Sequence, residues 1–576
     1  MDPRQLHLYN NIIWEVVAAC VLISALPALS KHAAPDCGAA RPAASGQDPH
    51  CAADGAADNG QRSPDQHNHP IRPNIVLILL DDMGFNDVSF RGSTQIPTPR
   101  IDRLAREGII LHRMYAHCTC SPSRSALLTG KHPFTIGMQG QPIKPGEPWG
   151  LPLQHKLLPE YMRRLGYSTH MIGKWHLGDH RTAYLPHKRG FDTFWGTPGG
   201  ALDYYSYTMI EGYNMYNGSD VLRLNESTYV TDLFAHWAQA LIQERAAAQK
   251  PFFLYFAPNG PRGSLNRTDT LQTAPKYLNR PSVQAIAHPE RRKYAAMMQA
   301  VDDAVGTIHD AISDAGILHN TIVWFLSDNG GPLPQPGTFS IVAPASNWPL
   351  RGVKQTLFEG GVRVAAFVWG GPYNAVAGGS LYDHPMHLTD LLPTLVASTH
   401  VPELADEHHD NYILANTSTH GYNHWDYILT GRAGPRHVTP LDINHNESRF
   451  GLIAGRYKVV TGNYSNGSRE SNKWIRPFGT SDADPQQIET RERVHCHHPE
   501  GREQAPCSPE KEVCLFDLLD DPCETNNLAG ARPEVLEELM EHVRRWNASY
   551  HPVIWLDVDP GSDPALHGGV WRPWKD

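Results

Sequence analysis

Residues that could do chemistry stand where apolar runs of this chain end. Asp81 and Asp82 follow the apolar run 75–80, and Asp328 and Asn329 follow "NTIVWFLS". Carboxylate and amide oxygens with no thiolate or imidazole among them form a hard donor set, suited to Ca²⁺ or Mg²⁺ rather than zinc. Lys174 and His176 occur in "GKWHLG", and Lys354 in "NWPLRGVKQTLFEGG". A divalent cation, two lysines and an arginine are what a tetrahedral oxyanion needs. Taken singly, the acids read equally as turn caps and the cations as solvated loop residues. The stretch "CTCSPSRSALLTG" adds Cys118, Cys120 and Arg124. Locally it is open between a disulfide fragment, a metal ligand pair and a nucleophile at a helix start.

These residues need a scaffold that brings strand ends together. The uninterrupted apolar run 75–80 suits a strand buried on both faces of a parallel sheet. "STHMIGKWHLG", "KPFFLYFAP", "NTIVWFLSDNGG" and "VRVAAFVWGG" read as further strands. "TPRIDRLAREGIILH" predicts a helix with Thr98 as N-cap, Pro99 in the first turn and Gly108 as terminator. "LLPEYMRRLG" and the amphipathic stretch 291–316 predict others. Strands alternating with helices mean an α/β domain with helices on both faces. In such sheets ligands bind beyond the carboxyl ends of the strands, where these acids and lysines fall. After residue 445 the texture changes. "RFGLIAGRYKVVTG" predicts a hairpin, "EVCLFDLLDDP" a short strand and "RPEVLEELMEHVRRWN" a closing helix, together a smaller α+β domain. The expected division is a catalytic domain over 72–445 and a C-terminal domain over 446–576.

The 576 residues are enough for two domains with sizeable cores. A net charge of -10 provides no global basic field, which speaks against nucleic acid as a partner. Residues 1–30 carry the one long apolar stretch, "IIWEVVAACVLISALPAL", and read as a signal peptide, with an uncleaved anchor as the rival. No stable membrane span is expected after cleavage. Residues 31–71, rich in Ala, Pro, Gly and Asp, read as a disordered linker. Eight N-x-S/T sequons, at Asn217, Asn225, Asn266, Asn416, Asn446, Asn463, Asn466 and Asn547, favour the secretory pathway, lysosomal or secreted. Of nine cysteines, four lie between 496 and 523, where one or two local disulfides are expected.

"CSPSRSALLTG" resembles the signature of the sulfatase family, as do "RPNIVLILLDDMGFNDVSF", "HMIGKWHLGDHR", "RGFDTFWG", "SDNGG", "NWPLRGVKQTLFEGGVR" and "GGVWRPW". The resemblance implies an alkaline-phosphatase-like fold, with a mixed, mostly parallel sheet flanked by helices. It implies sulfate ester hydrolysis, with the 4-sulfate of N-acetylgalactosamine in chondroitin or dermatan sulfate, or a small sulfate ester, as substrate. Cys120 would be oxidised to formylglycine by the formylglycine-generating enzyme. Asp81, Asp82, Asp328, Asn329 and residue 120 would hold one Ca²⁺. Arg124 would steady the formylglycine, Lys174 and Lys354 would grip sulfate, and His176 would hydrogen-bond the aldehyde hydrate. The family carries a histidine where this chain has Arg262. Arginine there would bind sulfate but not release a proton, so a sulfated-glycan binder of impaired activity is the alternative reading.

Overall fold

The computed structural model describes residues 72–224, 228–266, 268–333, 343–399, 419–462, 472–480, 494–496, 507–553 and 555–576. The expected signal peptide and linker, and Asn225, Asn416, Asn463 and Asn466, lie outside them. No helix among the described residues is long and apolar enough to cross a membrane.

A ten-stranded sheet organises residues 72–399. In chain order its strands are β1 (Asn74–Leu80), β2 (Ile109–Leu111), β3 (Ser168–Lys174), β4 (Thr193–Thr197), β5 (Tyr216–Asn217), β6 (Asp220–Val221), β7 (Phe252–Ala257), β8 (Thr321–Ser327), β9 (Ala366–Gly370) and β10 (Ser380–Tyr382). Their spatial order is β10-β2-β9-β8-β1-β7-β3-β4-β5-β6. The central five, β8, β1, β7, β3 and β4, pair in parallel. Strand β9 runs antiparallel to β8, and β5 antiparallel to β4. The sheet is therefore mixed and mostly parallel, as expected.

Strand β1 is fully buried, and its side chains alternate between two cores. Val76, Ile78 and Leu80 face one core, with helices α1 (Pro99–Glu107), α4 (Val230–Ala247) and α5 (Pro289–Asp314). Ile75, Leu77 and Leu79 face the other, with α2 (Cys120–Thr129), α3 (Leu158–Arg164) and α6 (Leu391–Ala397). That two-sided burial is why the run shows no polar alternation. Thr98 precedes α1 as predicted, but its hydroxyl donates to Asp102 Oδ1 at 2.8 Å rather than capping a helix N–H.

A four-stranded antiparallel sheet, β11 (Val438–Asn444), β12 (Arg449–Ala454), β13 (Tyr457–Thr461) and β14 (Cys514–Asp517), begins upstream of residue 446. Leu536, Leu539 and Val543 of helix α7 (Pro533–Asn547) cover one face through Leu452, Val459 and Leu515. Two disulfides, Cys496–Cys523 and Cys507–Cys514, tie the loops beside this sheet. Cys118 and Cys120 are buried free thiols.

Candidate active site

Four adjacent strands deliver their carboxyl ends to one place. The register pairs Leu80 with Ser327, so Asp81 and Asp328 leave β1 and β8 side by side. On the other flank of β1, the chain after β7 forms a bridge from Pro261 to Asp81 and brings Arg262 alongside. Strand β3 ends at Lys174, followed by Trp175 and His176. Asp82 adopts φ 63°, a left-handed conformation aspartate tolerates, which turns its carboxylate back toward Asp328 and Asn329. Gly173 has to be glycine: at φ 112° a Cβ would lie 2.0 Å from the Ala257 carbonyl oxygen.

The ligand atoms of Asp81, Asp82, Cys120 and Asp328 all lie within 4.8 Å of one another and are buried. Asn329 joins them through Nδ2, 2.7 Å from Asp82 Oδ1. Two oxygens here, Asp82 Oδ2 and Asn329 Oδ1, are buried without a hydrogen-bond donor, although Asp82 Oδ2 lies 3.5 Å from Arg262 Nε. Buried oxygens lacking donors, in a set of carboxylate, amide and residue-120 groups, fit a hard divalent cation.

Cations surround the acids. Arg124, one turn into α2, donates to Asp328 Oδ2 from Nε at 3.1 Å and Nη2 at 2.9 Å. Its Nη1 donates to the Lys174 carbonyl at 3.2 Å and to Tyr255 Oη at 3.5 Å. Lys174 Nζ donates to Asp81 Oδ2 at 2.7 Å. Lys354 Nζ contacts Asp82 Oδ1 and lies 3.2 Å from Cys120 Sγ. Arg262 Nε stands 3.6 Å from Asp81 Oδ2. Burial raises the Asp81 carboxyl, but Lys174, Arg262, Arg124 and Lys354 outweigh it and hold Asp81 well below its ordinary value. Burial and the Asp81 charge push Asp328 up. Burial lowers Lys174 despite the Asp81 charge. For Lys354 the Asp82 charge overcomes burial and raises it.

Cys120 is the first residue of α2, its thiol 3.5 Å from Asp81 Oδ1. Burial and Asp328 push that thiol up to about 12. An unmodified Cys120 is therefore a protonated thiol at neutral pH and a poor nucleophile.

His176 sits at the wall of the same site at φ 62°, with Gly200 against its ring. Its Nε2 lies 2.8 Å from the Ile143 carbonyl, so Nε2 carries the proton and Nδ1, without a partner, presents its lone pair. Burial, Lys174 and Arg262 hold the ring well below its ordinary value and keep it neutral. Asp82, His176, Arg262 and Lys354 line one end of a cleft of about 550 Å³. Its remaining wall is mostly apolar and includes Ile143, Met209, Ile210, Leu265, Leu333 and Val353.

Nine of the ten positions singled out at strand ends and in the cysteine motif therefore meet in one site, joined by Arg262, whereas Cys118 is buried apart from it, its sulfur 3.8 Å from His117 Nδ1. Sequence reasoning missed Tyr255, which steadies Arg124 from the middle of β7, and the Ile143 carbonyl that orients His176. Neither carries a signal, since one is an aromatic residue in an apolar strand and the other a backbone atom. Among the described sequons, Asn217 and Asn446 are exposed. Asn547 pairs with His445, and Asn266 Nδ2 donates to Asp203 Oδ2 at 3.0 Å.

Comparisons with known proteins agree with this geometry. A family model described as Sulfatase matches residues 73–401. Arylsulfatase J of Mus musculus is 34% identical over 533 residues, covering 87% of this chain and 80% of its own length. N-acetylgalactosamine-6-sulfatase of Mus musculus is 34% identical over 422 residues, 70% of this chain and 74% of its own. The solved structure of Ps i-CgsB in complex with k-i-k-neocarrahexaose is 25% identical and covers 86% of this chain and 98% of its own, with a TM-score of 0.66.

Proposed function

The chain belongs to the sulfatase family and is a sulfuric ester hydrolase, and from that premise we propose that it is a calcium-dependent sulfatase of sulfated amino sugars, working through a formylglycine made from Cys120. The observation that carries this reading is the buried group Asp81, Asp82, Cys120 and Asp328, gathered within 4.8 Å beside a cleft.

Asp81, Asp82, Asp328 and Asn329 would hold Ca²⁺ next to residue 120. Bound there, the cation would polarise the ester, and a formylglycine at 120 would supply the attacking hydroxyl. The chain's own residues do the rest. Arg124, Lys174, Arg262 and Lys354 outnumber the carboxylates of Asp81, Asp82 and Asp328 by four to three, so the site stays attractive to sulfate. Lys354 and Arg262 face the cleft and would bind sulfate oxygens, with Lys174 behind them. Arg124 fixes Asp328, while Lys174 holds Asp81 and Lys354 holds Asp82. Neutral His176 would offer Nδ1 as a proton acceptor at the cleft wall.

The relatives named N-acetylgalactosamine-6-sulfatase and the Ps i-CgsB complex support a sulfated sugar as substrate. Within that class we propose N-acetylgalactosamine sulfates of chondroitin or dermatan type, the 4-sulfate first and the 6-sulfate as competitor. The sequons other than Asn266, whose amide is tied to Asp203, support maturation in the secretory pathway, toward the lysosome or the outside of the cell, with the formylglycine-generating enzyme as a maturation partner.

The test is to weigh the tryptic peptide containing residue 120 and to assay sulfate release from 4- and 6-sulfated N-acetylgalactosamine, with and without a calcium chelator. Formylglycine with chelator-sensitive turnover is the expected result. Formylglycine without turnover would favour the sulfated-glycan binder that Arg262 suggests, and an unmodified Cys120 would overturn the proposal.

A further inference from the structure

The cleft does not end at its apolar wall. A second cavity of about 200 Å³, lined by Asp203, Thr208, Ile210, Glu211, Leu265 and Asn266, shares Ile210 and Leu265 with the first. These two side chains form a sill between a cationic chamber and a polar pocket. Ile210 occupies the sill in an unusual way. The strands Thr208–Met209 and Gly212–Tyr213 pair so that Ile210 is the first residue of a two-residue hairpin turn. It has φ 57° and is 47% exposed. Positive φ at that turn position normally belongs to glycine, and a β-branched residue there is strained.

The strain is held from outside the hairpin. Tyr213 N donates to the Gly569 carbonyl at 2.9 Å, and Trp571 N to the Tyr213 carbonyl at 3.0 Å. Trp571 Nε1 donates to the Met209 carbonyl at 2.7 Å. Trp571 also packs over Gly212, where a Cβ would meet its ring at 2.5 Å. The C-terminal "GGVWRPW" segment thus clamps the hairpin and presents Ile210 over the sill. An exposed, strained, apolar residue fixed at the junction of two cavities has a purpose that glycine would not serve.

Resting on the sulfatase reading, we infer that Ile210 is a specificity-determining residue that selects extended glycan sulfates over small sulfate esters. The sulfated ring occupies the chamber, the chain crosses Ile210 and Leu265 on its C–H face, and the next sugar enters the second pocket. Asp203 and Asn266 are already hydrogen-bonded to each other there, and Asp203 also accepts from Gln272 at 2.7 Å. The walls of Asp203, Thr208, Glu211 and Asn266 suit a hydroxyl-bearing ring.

The experiment compares wild type with Ile210→Gly and Trp571→Phe, using a sulfated N-acetylgalactosamine trisaccharide and 4-nitrocatechol sulfate. The readout is the ratio of the two kcat/KM values, with thermal unfolding measured alongside. Ile210→Gly is expected to lower the ratio about tenfold or more while its Tm equals or exceeds wild type, because glycine accepts the positive φ. Trp571→Phe is expected to shift the same ratio, not both rates equally. An unchanged ratio, or an Ile210→Gly protein less stable than wild type, would overturn the inference. Should wild type hydrolyse neither probe, the sulfatase reading fails, and calorimetric affinity for the trisaccharide decides Ile210. Binding about tenfold weaker in Ile210→Gly sustains the role, and equal binding removes it.

Discussion

At the scale of single residues the site is governed by charge packed into little space. Lys354 touches both Asp82 and the residue-120 sulfur, and its side chain is only 12% exposed at the cleft. Lys354→Ala should lower kcat/KM on an aryl sulfate by about a hundredfold to a thousandfold, the usual cost of losing one donor to developing negative charge. Steady-state kinetics, with circular dichroism to confirm folding, would check this. Arg262 poses a different question, because it stabilises Asp81 and Asp82 yet holds its proton at every working pH. Arg262→His should place a titrating group at the wall. The pH–rate profile of kcat is then expected to gain a limb in the imidazole range, near pH 6.5, and a profile that keeps its wild-type shape would show that proton donation comes from elsewhere.

At the scale of elements, α2 must keep Cys120 fixed at its first turn, and its far end is secured by histidines. His132, two residues beyond the helix terminator Gly130, packs against His387, His420 and Trp546 of α7 with ring centroids 4.8, 5.6 and 5.0 Å away. Burial, with the charge of Arg436 added, holds His387 at about 3, and burial with Lys131 holds His420 at about 4. Unfolded imidazole titrates near 6.5. Between about pH 6.5 and 4 the unfolded chain therefore binds protons that these folded rings refuse, so their contribution is present above 6.5 and lost on acidification. Asp302, raised to about 7 by burial, works oppositely, since its contribution is lost as pH rises from about 4 to 7. Measured against pH, Tm should fall on acidification less steeply in His387→Gln than in wild type. Parallel curves would remove the histidine lock from the explanation.

At the scale of the whole molecule, a buried ion cluster joins the antiparallel sheet to the catalytic face. Lys458 of β13 reaches Glu359 Oε1 at 2.9 Å and Glu524 Oε1 at 2.8 Å, all three fully buried. Tyr115 Oη donates to Glu359 Oε2 at 3.1 Å. Burial pushes Glu524 up to about 7, because the nearby Glu359 charge opposes the help from Lys458. Lys458→Met would strand two carboxylates in the interior. It should cost about 3–5 kcal/mol of unfolding free energy, read by denaturant titration. A loss below about 1 kcal/mol would mean that the pair simply protonates at little cost.

Much of this protein is local enough to be read from one dimension. Apolar runs ending in Asp-Asp or Ser-Asp-Asn announce buried strands with ligands at their ends, since side-chain burial and strand termination are both local. The cysteine motif, the helix starting at residue 120 and the disulfide region between 496 and 523 were legible for the same reason. Strand order was not. That Asp328, Asp81, Arg262 and Lys174 leave four neighbouring strands depends on β8, β1, β7 and β3 pairing across some 250 positions of chain, and only the closed sheet specifies that. The same holds for "GGVWRPW": as sequence it is a family resemblance, while its contacts with the hairpin at Ile210 exist only because the C-terminal segment folds back across the molecule. Residue types and spacing determined the chemistry available, and long-range packing decided which groups share a site and what shape of substrate they meet.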